Sequence, residues 1–208
     1  MMNSNFNFKL KEFKQWIPTV FNLSEEESNI DYFNSIFENE TEGLFFPTSS
    51  IPYAFKGSED LDSTQCEELG VKIFELDYAG GTLVGKTEDL PFLIAAPKDL
   101  NLSGEIILKC IKNILSKYFP TSPTIILNND ILLKSKKVFG SFVRETENMF
   151  YFGGQFSFVE HEELISALCE KKTNKTPGHI NSEYLLKDKL KQDIESWLVE
   201  KKIPKGGM

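Results

Sequence analysis

A mixed α+β fold, with a central mixed or antiparallel sheet flanked by helices, is what this sequence predicts. Three observations carry that expectation. Apolar residues recur at helical spacing around residues 24–37, 103–118 and 182–201. Two β-favouring runs flank a polar Asn-Asn-Asp cluster at 128–130, which reads as strand, tight turn, strand and argues against a purely parallel sheet. Strands and helices do not alternate regularly along the chain.

Taken in order, Phe6, Phe8 and Leu10 alternate with polar neighbours, and Phe13, Trp16 and Ile17 suggest a helical turn ended by Pro18. Ser24 with Glu27 forms a capping-box pattern, so a helix is expected from Ser24, its stripe being Ile30, Phe33, Ile36 and Phe37. Leu44 to Phe46, Ile51 to Phe55, Val71 to Leu76 and Leu90 to Ala95 read as short strands. Ser58 to Leu69 reads as an acidic, solvated helix stopped by Gly70. Ser103 caps a helix through Tyr118, with Cys110 on its apolar stripe. Met149 to Phe158 is an aromatic strand that Gly153-Gly154 should break. A short helix follows from Glu160 to Glu170, then a polar connection, then a helix from Ser182 to Lys201 carrying Leu186, Leu190, Ile194, Trp197 and Leu198.

The 208 residues suffice for one domain with a substantial core, and one domain over 1–208 without a C-terminal accessory domain is expected. Eighteen phenylalanines point to a core filled with rings. The net charge of −8 argues against nucleic acid as the main partner, because neutralising phosphates needs a basic face. Three cysteines without paired spacing, a polar start and no apolar run of ~20 residues predict a cytoplasmic chain with no membrane partner. His161 and His179 lack metal-ligand spacing and read as surface or loop residues.

The richest stretch runs from Asn128 to Glu145. A glycine inside a strand pattern marks a bulge or a close approach to the backbone, and Gly140 sits three residues after Lys137. A lysine beside bare backbone suits an anionic ligand. Equally, Asn-Asn-Asp is ordinary hairpin chemistry, and Lys134, Lys136 and Lys137 suit a soluble edge strand.

This stretch, with Asn129-Asp130-Ile131-Leu132-Leu133, then Lys137-Val138-Phe139-Gly140-Ser141, then Arg144-Glu145-Thr146, resembles the catalytic core of lipoate–protein ligases. The family's glycine-rich loop has a counterpart at Tyr78-Ala79-Gly80-Gly81-Thr82-Leu83-Val84, and the likeness extends loosely from Gly43 to Ser182. The resemblance implies a fold shared with biotin ligases and class II aminoacyl-tRNA synthetases. It implies ATP, Mg²⁺ and lipoate, or a related small carboxylic acid, as ligands. The acid would be adenylated and passed to a lysine of an acceptor such as a lipoyl domain. On the same basis Lys137 is the catalytic lysine. Gly80, Gly81, Thr82, Asn129, Asp130, Gly140 and Ser141 would line the nucleotide and acyl site, and Asp130 would assist the magnesium ion.

The chain also departs from the family. Its loop usually begins with two arginines, where this chain has about Glu75 and Leu76, followed by Asp77. One of three glycines is Ala79, and the family's His-Asp after the loop is Gly85-Lys86, with Lys86 the candidate replacement cation. Losing a phosphate clamp removes charge-assisted bonds of roughly 1.5–3 kcal/mol each. Thioester chemistry, as in related acyltransferases, needs a cysteine beside the site, and none of the three matches. A non-catalytic descendant that binds a small acid, a nucleotide or a protein is therefore the alternative to an enzyme. A third reading is an interaction protein using Phe150, Tyr151, Phe152, Phe156 and Phe158 against a partner.

Overall fold

The structure, a computed structural model, describes residues 16–28, 30–57, 61–75, 82–169, 176–181 and 185–200. In chain order the elements are β1 Val20–Asn22, α1 Ile30–Glu38, β2 Gly43–Phe46, β3 Tyr53–Lys56, α2 Ser63–Glu68, β4 Lys72–Glu75, β5 Leu83–Gly85, β6 Leu90–Pro97, α3 Gly104–Tyr118, β7 Thr124–Leu127, β8 Asp130–Leu133, β9 Lys136–Glu145, β10 Met149–Phe156, α4 Glu162–Leu168 and α5 Lys187–Glu200. Seven strands form one sheet in the order β1-β2-β6-β10-β9-β8-β7, antiparallel except for the β1–β2 pair. Three more form a small sheet, β4-β3-β5, in which β3 and β4 run parallel. The expected mixed α+β architecture is present, with a second sheet that the sequence did not announce.

The central strands of the large sheet are buried on both faces, which is why β6 and β10 are continuous apolar runs rather than alternating ones. Phe92, Ile94, Phe150 and Phe152 pack with α3 and α5 on one face. Leu93, Ala95 and Tyr151 pack on the other, with α1 and the small sheet. Phe150, Tyr151, Phe152, Phe156 and Phe158 are all buried, so they form core and not a partner surface. That removes the third reading.

Gly153 and Gly154 do not break β10, which pairs without interruption on both sides. They are glycines because neighbouring rings lie over the strand. A Cβ on Gly153 would sit 2.0 Å from Phe142 Cζ, and one on Gly154 would sit 2.3 Å from Phe139 Cζ.

Other boundaries moved for identifiable reasons. Ser24 and Glu27 do exchange the expected capping bonds, 2.8 Å from Ser24 N to Glu27 Oε2 and 3.3 Å from Glu27 N to Ser24 Oγ. They close one turn only. Ser28 turns its hydroxyl to Thr48 N at 2.9 Å, holding the loop after β2, and α1 is described from Ile30. The helical turn expected at Phe13 to Ile17 lies largely outside the described residues; within them Trp16 is buried, its indole donating to Glu42 at 3.1 Å. The expected strand at Phe6 to Leu10 lies outside the described residues, as does Ser182. Leu186, placed on the stripe of α5 by spacing, precedes that helix and is exposed. Ser103 caps α3 as expected, accepting from Ile106 N at 3.3 Å.

Helices α3 and α5 are joined by Tyr118, whose hydroxyl donates to Asp193 Oδ2 at 2.6 Å. Burial first, then Asp193, pushes the Tyr118 hydroxyl up to about 12 from 10.0. A raised folded-state value means stability that is complete below 10.0 and lost as pH rises through about 12. Tyr118→Phe should cost about 1 kcal/mol at neutral pH. It should also lose less stability than the parent between neutral and strongly alkaline pH. Urea melts at both pH values check this; an identical alkaline loss in both proteins would refute it.

Candidate functional site

The site begins with a register shift. Ile131 pairs with Phe139 and Leu132 pairs with Lys137, so Val138 is an extra residue in β9, a β-bulge. Without it, Lys137 would share a face with Phe139, which packs toward α3. With it, Lys137 turns to the face of Asp130 and Gly140, toward the small sheet. One inserted residue re-aims the lysine.

On that face Lys137 Nζ lies 3.0 Å from Asp130 Oδ1, and the two side chains are 30% and 10% exposed, a half-sheltered pair rather than a solvated one. A Cβ on Gly140 would meet Leu83 Cδ2 at 2.6 Å, Lys137 Cε at 2.9 Å and Lys137 Nζ at 3.0 Å. Gly140 is thus the bare floor over which the lysine folds, and Leu83 reaches the same spot. Ser141 Oγ donates to the carbonyl of Asn129 at 2.6 Å, tying the Asn128-Asn129 turn to β9. Asn128 takes a positive φ of 56°, which asparagine tolerates. Sequence reading named Lys137, Asn129, Asp130, Gly140 and Ser141, and the structure brings them together.

Gly80 and Gly81 lie outside the described residues. Thr82 Oγ1 accepts from Gly57 N at 3.1 Å, pinning the start of β5 to the end of β3. Glu75, at a family arginine position, is not a bare negative charge, because Lys56 Nζ sits 2.7 Å from its Oε1. Lys86 donates to the carbonyl of Glu160 at 2.7 Å.

No family model matches the sequence, and no curated protein matches it. Solved structures do. A bipartite lipoate protein ligase from Thermoplasma acidophilum, solved in work on that ligase and its E2 lipoyl domain, superposes with a TM-score of 0.68 at 12% identity, covering 87% of this chain and 82% of that one. The chain has the lipoate and biotin ligase fold. A lipoate-protein ligase A bound with ATP gives 0.66 at 13% identity, over 88% of this chain and 84% of that one. A biotin protein ligase from Leishmania major in complex with biotin gives 0.57 at 12%, over 88% and 73%. At such identities the likeness is one of fold.

Within the ligase fold, the described residues include no cluster of three or more carboxylate, histidine or cysteine ligands. Asp130 supplies one carboxylate, already shared with Lys137. That fits Mg²⁺, which takes one or two carboxylates and draws its other ligands from substrate phosphates and water. Cys66 and Cys110 are buried, and burial pushes both thiols up, away from the reactive thiolate form.

One group escaped the sequence reading. Asp89, 5% exposed, accepts from Lys86 N at 2.7 Å and Gln155 Nε2 at 3.3 Å on Oδ2, and from Phe158 N at 2.9 Å on Oδ1. His161 Nε2 also bonds to Oδ2. Gln155 donates in turn to the carbonyl of Val84 at 2.8 Å. The network fastens β5, the strand leaving the glycine-rich stretch, to β10 and α4. His161, read as a surface or loop residue, is therefore corrected: it sits at a loop position but is buried, 3% exposed, because Asp89 gives its ring a partner. No spacing signal pointed to this contact, since 72 residues separate the two.

Proposed function

We propose that this chain is a lipoate ligase-like enzyme that adenylates lipoate or a related carboxylic acid with ATP and Mg²⁺, then transfers the acyl group to a protein lysine. A lipoyl domain is the acceptor in this reading, and the cytoplasm is its setting. The observation that carries it is the bulge at Val138, which delivers Lys137 over Gly140 beside Asp130. Joining a carboxylate to the α-phosphorus builds negative charge on the phosphate, and a lysine positioned over bare backbone stabilises that charge without reorganising. Asp130 orients the ammonium before substrate arrives and would be the carboxylate that holds Mg²⁺, which would neutralise phosphate charge. Gly140 lets the lysine fold across its strand, Ser141 and Asn129 hold the hairpin, and the resemblance assigns Gly80, Gly81 and Thr82 to the acyl chain.

ATP–pyrophosphate exchange measured with lipoate, octanoate and biotin tests the proposal. Exchange with at least one acid, reduced roughly 10²–10³-fold in Lys137→Ala, is the expected result. Silence with all three acids, or full activity in the variant, would overturn it.

A specific observation favours a second reading, that of a binding protein without turnover. Three cations that could meet an anion here are already engaged among the described residues: Lys56 with Glu75, Lys86 with the Glu160 carbonyl and Lys137 with Asp130. Ligand binding raises apparent stability by roughly 2.7 kcal/mol at a hundred times the dissociation constant. A thermal shift with an acid or nucleotide and no pyrophosphate release supports the second reading, and turnover eliminates it.

A further inference from the structure

A depression of about 580 Å³ opens on the other face of the large sheet, between the end of α3 and the β8–β9 turn. That is the size range of small-molecule sites. Its lining is about half apolar: Phe119, Leu133 and Val138 supply the apolar floor surface beside polar neighbours such as Thr121 and Asn181, and the exposed Lys134, Lys136 and His179 stand around it. None of its lining residues is an aspartate or glutamate, in a chain whose net charge is −8. The hydroxyl of Ser122 adds a neutral hydrogen-bonding group.

Backbone geometry places these cations. Lys134 and Ser135 both take positive φ, 51° and 66°, the two-residue hairpin turn that swings Lys134 to the rim. Lys136 is the cross-strand partner of Leu133 and so stands on the same face, opposite to Lys137. A Cβ on Gly178 would lie 2.5 Å from Lys136 Cβ, so the chain before His179 passes directly against that lysine. It is held there by Lys137 N donating to the Thr176 carbonyl at 2.9 Å and Gly178 N to the Lys137 carbonyl at 2.8 Å. Neither Lys134 nor Lys136 has an ion-pair partner among the described residues. Asp193, the carboxylate bonded to the lining residue Tyr118, is shared with Lys189 at 3.1 Å.

We propose that this depression is a second ligand site, for a small organic anion with an aromatic or aliphatic body and a carboxylate or phosphate head. The apolar floor takes the body, and the two lysines take the head by charge-assisted bonds. The site is independent of the ligase reading, because Lys136 and Lys137 face opposite sides of one sheet.

Calorimetric titration with phenyl phosphate and with hexanoate tests it, on the full chain, on Lys134→Glu/Lys136→Glu and on Lys137→Ala. Both replaced lysines in the double variant are exposed, and thermal melting confirms that it folds. Saturable binding of at least one probe by the parent and by Lys137→Ala, weakened roughly tenfold or more in the double variant, is expected. Which probe binds more tightly tells the phosphate from the carboxylate head. No binding of either probe by the parent overturns the proposal, as does equal affinity in the folded double variant. Loss of binding in Lys137→Ala assigns the probe to the other face, and inorganic phosphate binding as tightly as phenyl phosphate reduces the site to surface charge; both overturn it too.

Discussion

Asp89→Ala is expected to cost about 3–5 kcal/mol of folding stability, a large share of what a domain of this size possesses. The substitution removes a buried carboxylate that satisfies four donors at once: the backbone N–H groups of Lys86 and Phe158, and the side chains of Gln155 and His161. Lys86 N, Phe158 N and the His161 ring are left without that acceptor in a buried site, while Gln155 keeps only its bond to the Val84 carbonyl. Two neighbouring buried atoms, Gln155 Oε1 and His161 Nδ1, already lack partners among the described residues, so the network has no slack to redistribute. Asp89→Asn should cost less, since its amide keeps one acceptor. Urea denaturation measures both. A loss below 1 kcal/mol for the alanine variant would mean that Asp89 is not the hub it appears in the geometry.

Gly153→Ala should cost about 3 kcal/mol, at the upper end of overpacking in a dense core. The added Cβ would sit 2.0 Å from Phe142 Cζ, with Cε1 and Cε2 also inside van der Waals range. Phe142 is 3% exposed and packs against Phe55 at 6.3 Å between centroids, so the ring has nowhere to turn. Gly140→Ala offers the contrast. Its added Cβ would also clash, but with the ends of Leu83 and Lys137, which can swing aside. That variant should remain folded while the lysine is displaced, so stability and exchange activity would part company. Equal melting points for Gly153→Ala and the parent would contradict the rigid-ring argument.

Much of the fold was legible in the sequence because local physics wrote it there. The stripe of α3 and its Ser103 cap, the Asn-Asn turn between β7 and β8, and Gly70 at positive φ after α2 all follow from residues that are neighbours in the chain. The failures share a cause as well. The capping box at Ser24 forms its bonds, but Ser28 is claimed by Thr48, twenty residues on. Gly153 and Gly154 carry the local mark of a broken strand, while the rings that fill their place come from β9.

For the candidate site, the sequence by itself determined the residue types: a lysine, an aspartate and a glycine within eleven positions on two β-favouring runs. The tertiary structure decided which way they face. A single extra residue at Val138 reverses the parity of β9 and sets Lys137 above Gly140 and beside Asp130, and side-chain parity depends on strand pairing that no one strand encodes alone. The same parity leaves Lys136 on the opposite face. Likewise Asp89 and His161 are unremarkable singly, and only the folding of α4 against the β5–β6 turn makes them a buried pair, because desolvation and hydrogen bonding act on what is near in space rather than in sequence.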